Sequence, residues 1–103
     1  MTAMRERRQS RRARLALSCL LRPPASSPIW AETIDVGEGG MSVRAARPLR
    51  ADTTVDFDLA SAPEEHVQGR ATVLRLHAPR VYGLRFEGLP EPMRKRLLEL
   101  VGG

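Results

Sequence analysis

The feature of this sequence that most constrains its fold is the alternation of apolar and polar residues within short segments. The alternation is clearest in residues 13–22, in residues 54–59 and in residues 82–86. A period of two is typical of β-strands that bury one of their two faces. The sequence therefore predicts a protein that is built mainly of short strands.

Three further segments bring the total to about six strands: residues 30–36, 41–45 and 67–76. In the first of these segments, Ile34 and Val36 are predicted to face inward. In the last, the apolar phase shifts between Val73 and Leu74, which predicts a bulge or bend. Short strands at even spacing favour a closed antiparallel barrel or a sandwich, because closure removes exposed strand edges.

The end of the chain changes from strand to helical periodicity. The apolar residues that recur there at helical spacing are Met93, Leu97, Leu100 and Val101. Prolines precede this segment and two glycines follow it, as is usual at the two ends of a helix. The predicted fold class is therefore all-β with one C-terminal helix.

The length and the cysteine content limit what kind of protein this is. A chain of 103 residues is enough for one compact domain but not for two. The single cysteine, Cys19, excludes an internal disulfide and a multi-cysteine zinc site, and it fits a reducing compartment. No segment approaches the ~20 apolar residues of a membrane span, and the apolar run at residues 15–21 is too short for an export signal. We therefore expect a cytoplasmic protein.

The net charge of +5 is concentrated at the N-terminus. Residues 1–14 contain six arginines and one acidic residue, whereas the rest of the chain is neutral. Arginine is suited to bidentate recognition of phosphates and guanine edges. Because this segment has almost no apolar residues to bury, we expect a flexible arm at residues 1–12 and a folded domain at residues 13–103.

Two motifs lie outside the core pattern of the predicted strands. The first is RQSRR at residues 8–12, directly before the first strand, and the second is DVGEGG at residues 35–40, at the turn between the next two strands. Together they resemble the signature of the PilZ domain family, which is RxxxR in an N-terminal loop and [D/N]xSxxG at a strand–turn–strand. With the strand order, the spacing and the final helix, the resemblance covers about residues 6–101.

The match to the signature is complete in the first motif but lacks the serine of the second. The positions that match the two motifs are Arg8, Arg12, Asp35 and Gly40. Arg7 precedes the first motif, as in family members that carry a doubled arginine. Gly37 stands where the family has a serine, so it offers a backbone N–H and extra room but no hydroxyl.

The resemblance implies a six-stranded antiparallel barrel with a C-terminal helix that binds the bacterial second messenger cyclic dimeric GMP. It implies no enzymatic activity, no cofactor and an unidentified downstream protein as partner. The ligand-binding residues that it implies are Arg7, Arg8, Arg12, Asp35, Gly37, Gly39 and Gly40. In this hypothesis the ligand orders the arm and so changes the surface that the downstream protein contacts.

The residue types suit such a ligand. Guanine offers the acceptors O6 and N7 to the fork of an arginine, and guanidinium groups also pair with phosphate and stack on bases. An ionised Asp35 accepts hydrogen bonds from the N1–H and N2–H groups of guanine. Gly39 and Gly40 would let the ligand lie against the backbone.

Two other functions compete with this one. A PilZ-type interaction adaptor that binds no nucleotide is favoured by the loss of the serine at Gly37. A nucleic-acid binder would use the arginine arm, but the neutral remainder and the four aromatic residues argue against it. We find no nucleophile–base pair, no paired carboxylates and no metal motif, so we predict neither a catalytic nor a metal site. Trp30 is expected to pack within the protein, with stacking on a base of the ligand as the alternative. His66 and His77 are expected to lie on the surface or in loops.

Overall fold

The computed structural model describes residues 12–75 and 78–102. They form seven strands and one helix: β1 (Arg12–Ala13), β2 (Ser18–Arg22), β3 (Ile29–Gly37), β4 (Gly40–Ala45), β5 (Thr54–Ala62), β6 (Glu65–Arg75), β7 (Val81–Glu87) and α1 (Glu91–Gly102). Arg7, Arg8 and His77 lie outside the described residues, so the predictions for them stay predictions. The described helix is not long and apolar enough to cross a membrane.

The strands close into an antiparallel barrel. Hydrogen-bonded neighbours follow the order β3, β2, β5, β6, β7 and β4, and the pairing of β3 with β4 completes the ring of six. The short β1 pairs with the end of β3, while β2 pairs with its beginning, so together they form one interrupted barrel strand. The predicted six-stranded antiparallel barrel with a C-terminal helix is confirmed.

The core lies inside the barrel and under the helix. The predicted inward positions of β5, Val55, Phe57 and Leu59, are all buried. Phe57 stacks on Phe86 of β7 with ring centroids 5.1 Å apart. Leu97 is fully buried and anchors α1 against the barrel, so the helical periodicity of the last segment is also confirmed.

The orientation of β3 differs from the prediction at two positions. The register with β4 shifts between Thr33 and Asp35, which leaves Ile34 half-buried rather than facing inward. Trp30 is 61% exposed, so the expectation that it packs within the protein is wrong. Both differences follow from the shift, because one extra residue exchanges the two faces of the strand. Val36 is buried as predicted.

The bulge predicted between Val73 and Leu74 is wrong. The pairing of β6 with β7 runs through both residues without a shift, and the irregularity lies instead in β5, between Ala60 and Ala62. Leu74 is half-buried on the outer face, where its cross-strand neighbour is Gly83. Since this neighbour has no side chain, an apolar residue fits on the outer face without a bend.

The gap between β1 and β2 is bridged by Thr33, which is only 2% exposed. The N–H of Leu17 donates to Thr33 Oγ1 at 2.8 Å, and this hydroxyl donates in turn to the carbonyl of Leu15. The N–H of Thr33 also donates to the carbonyl of Leu17 at 2.9 Å. One threonine therefore holds the interrupted strand against β3.

Candidate ligand-binding site

The two sequence motifs meet at the junction of β1 and β3. Arg12 is opposite Gly37 in the antiparallel register, and Asp35 lies two residues earlier on the same strand. The guanidinium of Arg12 donates to Asp35 Oδ1, although 23 positions separate the two residues in the chain. Their side chains are 44% and 29% exposed, respectively, so this ion pair lies on the outside of the barrel and is open to solvent.

A shallow row of small residues continues from Asp35 across the sheet. Asp35 is opposite Ser42 on β4, and Ser42 is opposite Gly83 on β7. Ser42 is half-buried between the buried Met41 and Val43, so it belongs to the outer face. Ser42 was not predicted from the sequence, although it alternates with two core residues, Met41 and Val43. The row places the hydroxyl of Ser42 opposite Asp35 in the register, and Gly83 adds no side chain next to it.

The glycines of the second motif have different structural roles. A side chain at Gly40 would overlap the backbone carbonyl of Leu84, so glycine is needed there for β4 to approach β7. Gly39 lies in the turn, and apart from its chain neighbours no atom lies within 4 Å of the place that a Cβ atom would occupy. Neither residue adopts the left-handed conformation, so the turn itself does not require a glycine at either position. Gly37 is buried at the end of β3.

A second polar cluster lies on the other side of the ring, where β5 pairs with β6. His66 Nδ1 is 2.6 Å from Asp58 Oδ1, and Gln68 donates to the other carboxylate oxygen at 3.0 Å. The hydrogen bond to Asp58 raises the pKa of His66. Burial alone would raise the pKa of Asp58, but the hydrogen bonds from His66 and Gln68 lower it below its ordinary value. His66 thus lies on the surface as predicted.

The described part of the chain offers no obvious metal centre. Among residues 12–75 and 78–102, no group of three or more histidine, cysteine, aspartate or glutamate side chains is placed to hold a metal ion. Cys19 is fully buried, as expected of a small apolar residue in a core strand, and burial raises the pKa of its thiol to about 12. The surface around Arg12 and Asp35, where the two motifs meet, is the candidate site.

Comparisons with solved structures identify the fold. The PilZ domain with c-di-GMP of YcgR from Escherichia coli has a TM-score of 0.75 and 14% identity, covering 93% of this chain and 89% of that chain. The PilZ domain of CeSA from a cellulose-synthesizing bacterium has a TM-score of 0.70 and 17% identity, covering 89% of this chain and 95% of that chain. The inhibitor of motility MotI/DgrA from Bacillus subtilis has a TM-score of 0.76 and 18% identity, covering 92% of this chain.

This chain spans about half of the B. subtilis protein, of which 49% is covered. No curated protein matches the chain. The family model described as PilZ domain matches residues 6–103, which includes both motifs and every described strand. The chain belongs to the PilZ domain family.

Proposed function

We propose that this chain is a receptor for cyclic dimeric GMP and that the nucleotide binds on the outer face of β1 and β3, at Arg12 and Asp35. The observation that carries the proposal is the meeting of these two motif residues in one solvent-open ion pair. Membership of the PilZ family supports it, as does the c-di-GMP held by the YcgR domain of the same fold. The family supports a non-enzymatic receptor or adaptor, and we propose that the protein acts in the cytoplasm.

Arg12 and Asp35 would contact different groups of the ligand. The guanidinium of Arg12 would donate to a phosphate or to the O6 and N7 atoms of a guanine. The carboxylate of Asp35 would accept from the N1–H and N2–H groups of a base. Arg7 and Arg8 precede the described residues and would add further donors. The open surface at Gly39 and the small side chain of Ser42 leave space for the ligand beside the pair.

Breaking the resting ion pair costs little compared with what the ligand offers. An ion pair at an exposed surface contributes ~0–1 kcal/mol, because water solvates both partners well. A hydrogen bond to a charged group contributes ~1.5–3 kcal/mol. The pair of Arg12 and Asp35 is therefore weak enough to be replaced, and it keeps both side chains on one face until the ligand arrives.

Calorimetric titration with cyclic dimeric GMP, with GMP as a control, tests the proposal. Arg12→Ala and Asp35→Ala should each weaken binding by roughly tenfold to a hundredfold, the equivalent of one charged hydrogen bond. The matched controls are Arg70→Ala and Asp56→Ala, which break an exposed ion pair of the same chemistry, 3.3 Å long, between β5 and β6. Both controls should bind as the wild type does.

The outcomes separate the proposal from its rivals. No heat of binding with the wild type at high ligand concentration would favour the adaptor hypothesis. Equal losses in Arg12→Ala and Arg70→Ala, with no loss in Asp35→Ala or Asp56→Ala, would indicate non-specific attraction of an anion, with a steep dependence on salt. Arg8→Ala should behave like Arg12→Ala, whereas Arg5→Ala, outside the motif, should cost little.

Gly37 is the feature that favours the adaptor hypothesis, because it lacks the family's hydroxyl. Restoring it with Gly37→Ser should hold or improve the affinity, by about one hydrogen bond or ~0.5–1.5 kcal/mol. Ser42 places another hydroxyl on the same face, opposite Asp35. If Ser42 compensates for Gly37, then Ser42→Ala weakens binding in the wild type but not in Gly37→Ser. Loss of affinity in Gly37→Ser would show that the site requires glycine there.

We further propose that the ligand orders the arginine arm, residues 1–12, beyond Arg12, which already pairs with β3, and so signals to a downstream protein. Most of this arm lies outside the described residues, and the support is its composition, with six arginines in residues 1–14. Amide hydrogen exchange with and without saturating nucleotide tests the proposal. Protection in the arm should rise on binding, and exchange that stays unchanged at saturation would contradict the switch while leaving the binding proposal intact.

A further inference from the structure

We propose that this protein has a second interaction surface, centred on Trp30, which binds an acidic segment of a partner protein. Trp30 is 61% exposed and is the large hydrophobic side chain that stands out to solvent among the described residues. Tryptophan and arginine are the residue types most enriched at the energetic centres of protein interfaces. The surface does not involve Arg12 or Asp35, so the inference does not depend on the nucleotide.

The surface around Trp30 is a wide, shallow depression of about 680 Å³ at the far end of β3 and β4. We call it the Trp30 surface. Its exposed apolar part is formed by Trp30, Ala46 and Pro79, and its charged groups are Glu32, Arg44 and Arg80. Ala31 and Ala45 border the depression, but their side chains belong to the core. An apolar floor beside one exposed aromatic ring suits the side chain of a single apolar residue, while the arginines stand at its edge.

The charges of this surface favour an anionic partner. Two arginines face one glutamate, and neither Arg44 nor Arg80 forms an ion pair with a carboxylate of the described residues. Glu32 is opposite Arg44 in the register of β3 and β4, yet the two do not pair. Both guanidinium groups therefore remain available to carboxylates, which they bind bidentately.

Arg80 is held beside the tryptophan by the fold. Its backbone is left-handed, with φ of 63°, a conformation that non-glycine residues rarely adopt. The N–H of Ala45 donates to the carbonyl of Arg80 at 2.8 Å, and the guanidinium of Arg80 donates to the carbonyl of Ala46 at 3.0 Å. A strained residue that is fixed twice against β4 is a prearranged group rather than a mobile surface arginine.

Other occupants fit these observations less well. A second copy of the chain, related by a twofold axis, would face this surface with the same excess of arginine over glutamate and not with an opposite charge. Single-stranded nucleic acid is usually bound by several aromatic side chains in series. Here Trp30 stands alone, because Phe57 is buried and Tyr82 and Phe86 are partly buried against the core. The occupant that remains is a peptide segment with an apolar residue between acidic ones.

The fluorescence of Trp30 tests the inference directly, because this is the only tryptophan of the chain. The probe is a five-residue peptide with one leucine between two pairs of glutamates, added without nucleotide. Binding should shift the emission to shorter wavelength in a saturable way. Arg44→Glu should weaken this binding by about tenfold or more, and Arg80→Glu should do the same. The matched control, Arg94→Glu on the exposed face of α1, should bind within about twofold of the wild type.

Four results would overturn the inference. Two concern the emission of Trp30: no saturable shift with the acidic peptide, or an equal shift with a peptide in which lysines replace the glutamates. Two concern affinity: an equal loss of peptide binding in Arg94→Glu, or tighter binding of an oligothymidylate than of the peptide. Sedimentation across a range of protein concentrations tests the second copy, since self-association that Trp30→Ala abolishes would assign the surface to that contact. Circular dichroism of each variant establishes that it is folded.

Discussion

Replacing Thr33 with valine should destabilise the barrel and weaken ligand binding together. Valine keeps the shape of the side chain but removes the hydroxyl, which accepts from the N–H of Leu17 and donates to the carbonyl of Leu15. These two backbone groups belong to the stretch between β1 and β2, where the ladder is interrupted. The same stretch follows Arg12, so its position determines where the guanidinium lies relative to β3.

The expected loss of stability follows from the two backbone groups that lose a hydrogen-bond partner, the N–H of Leu17 and the carbonyl of Leu15. An unpaired buried donor or acceptor costs ~1–3 kcal/mol. Leu15 and Leu17 are only half-buried, so water can replace part of the lost hydrogen bonding. We therefore expect the free energy of unfolding to fall by about 1–3 kcal/mol in total, and not by this amount for each of the two groups. For a domain of about this size, this lowers the melting temperature by roughly 5–20 °C.

Urea and thermal unfolding of three variants measure this prediction. Thr33→Ser keeps the hydroxyl and should retain most of the stability, while Thr54→Val, at an exposed position of β5, should change it by less than about 0.5 kcal/mol. Titration of Thr33→Val with cyclic dimeric GMP should show weaker binding than the wild type. The prediction is contradicted if Thr33→Val is as stable as the wild type. It is also contradicted if Thr33→Ser lowers the stability as much as Thr33→Val does, because the hydroxyl would then not be the cause.

Three further predictions concern other parts of the barrel. Gly40→Ala should destabilise by ~1–3 kcal/mol in urea unfolding, because its methyl group would meet a backbone carbonyl of β7, while Gly39→Ala should be nearly neutral. The stability that His66 gains from Asp58 is fully present below pH 6.5 and is lost as the pH rises through its raised pKa. The stability advantage of the wild type over His66→Gln should therefore shrink in alkaline buffer. Cys19, buried with a pKa of about 12, should react with a thiol reagent only as fast as the protein unfolds.

The fold was largely predictable because a period of two is a local property of the sequence. Residues 54–59 show why: their alternation alone assigns Val55, Phe57 and Leu59 to the core, and all three are buried there. Pairing between strands is not local, and this is where the prediction was wrong. The apolar Leu74 looked like a change of phase, but its place on the outer face depends on Gly83 of the neighbouring strand.

Of the candidate site, only the residues that belong to the two motifs could be predicted from the sequence. The signature resemblance selected Arg12 and Asp35, which the structure brings into one ion pair. It could not select Ser42, because the relation of this residue to Asp35 exists only in the register of β3 with β4. Trp30 was misassigned for a similar reason. The pattern placed Ile34 and Val36 inside, and Trp30 lies in the same phase, but the register shift after Thr33 puts Trp30 on the outer face.

The register shift in β3 is the structural feature on which the site depends. Strict alternation would place Thr33 and Asp35, two residues apart, on the same face of the strand. Thr33 must face inward to bridge β1 and β2, and it is buried, whereas Asp35 is 29% exposed beside Arg12. The extra residue, Ile34, lets both side chains take the faces they need and still leaves Val36 in the core. The one inserted residue therefore puts Thr33, which holds the interrupted strand, and Asp35, which we propose binds the ligand, on opposite faces of β3.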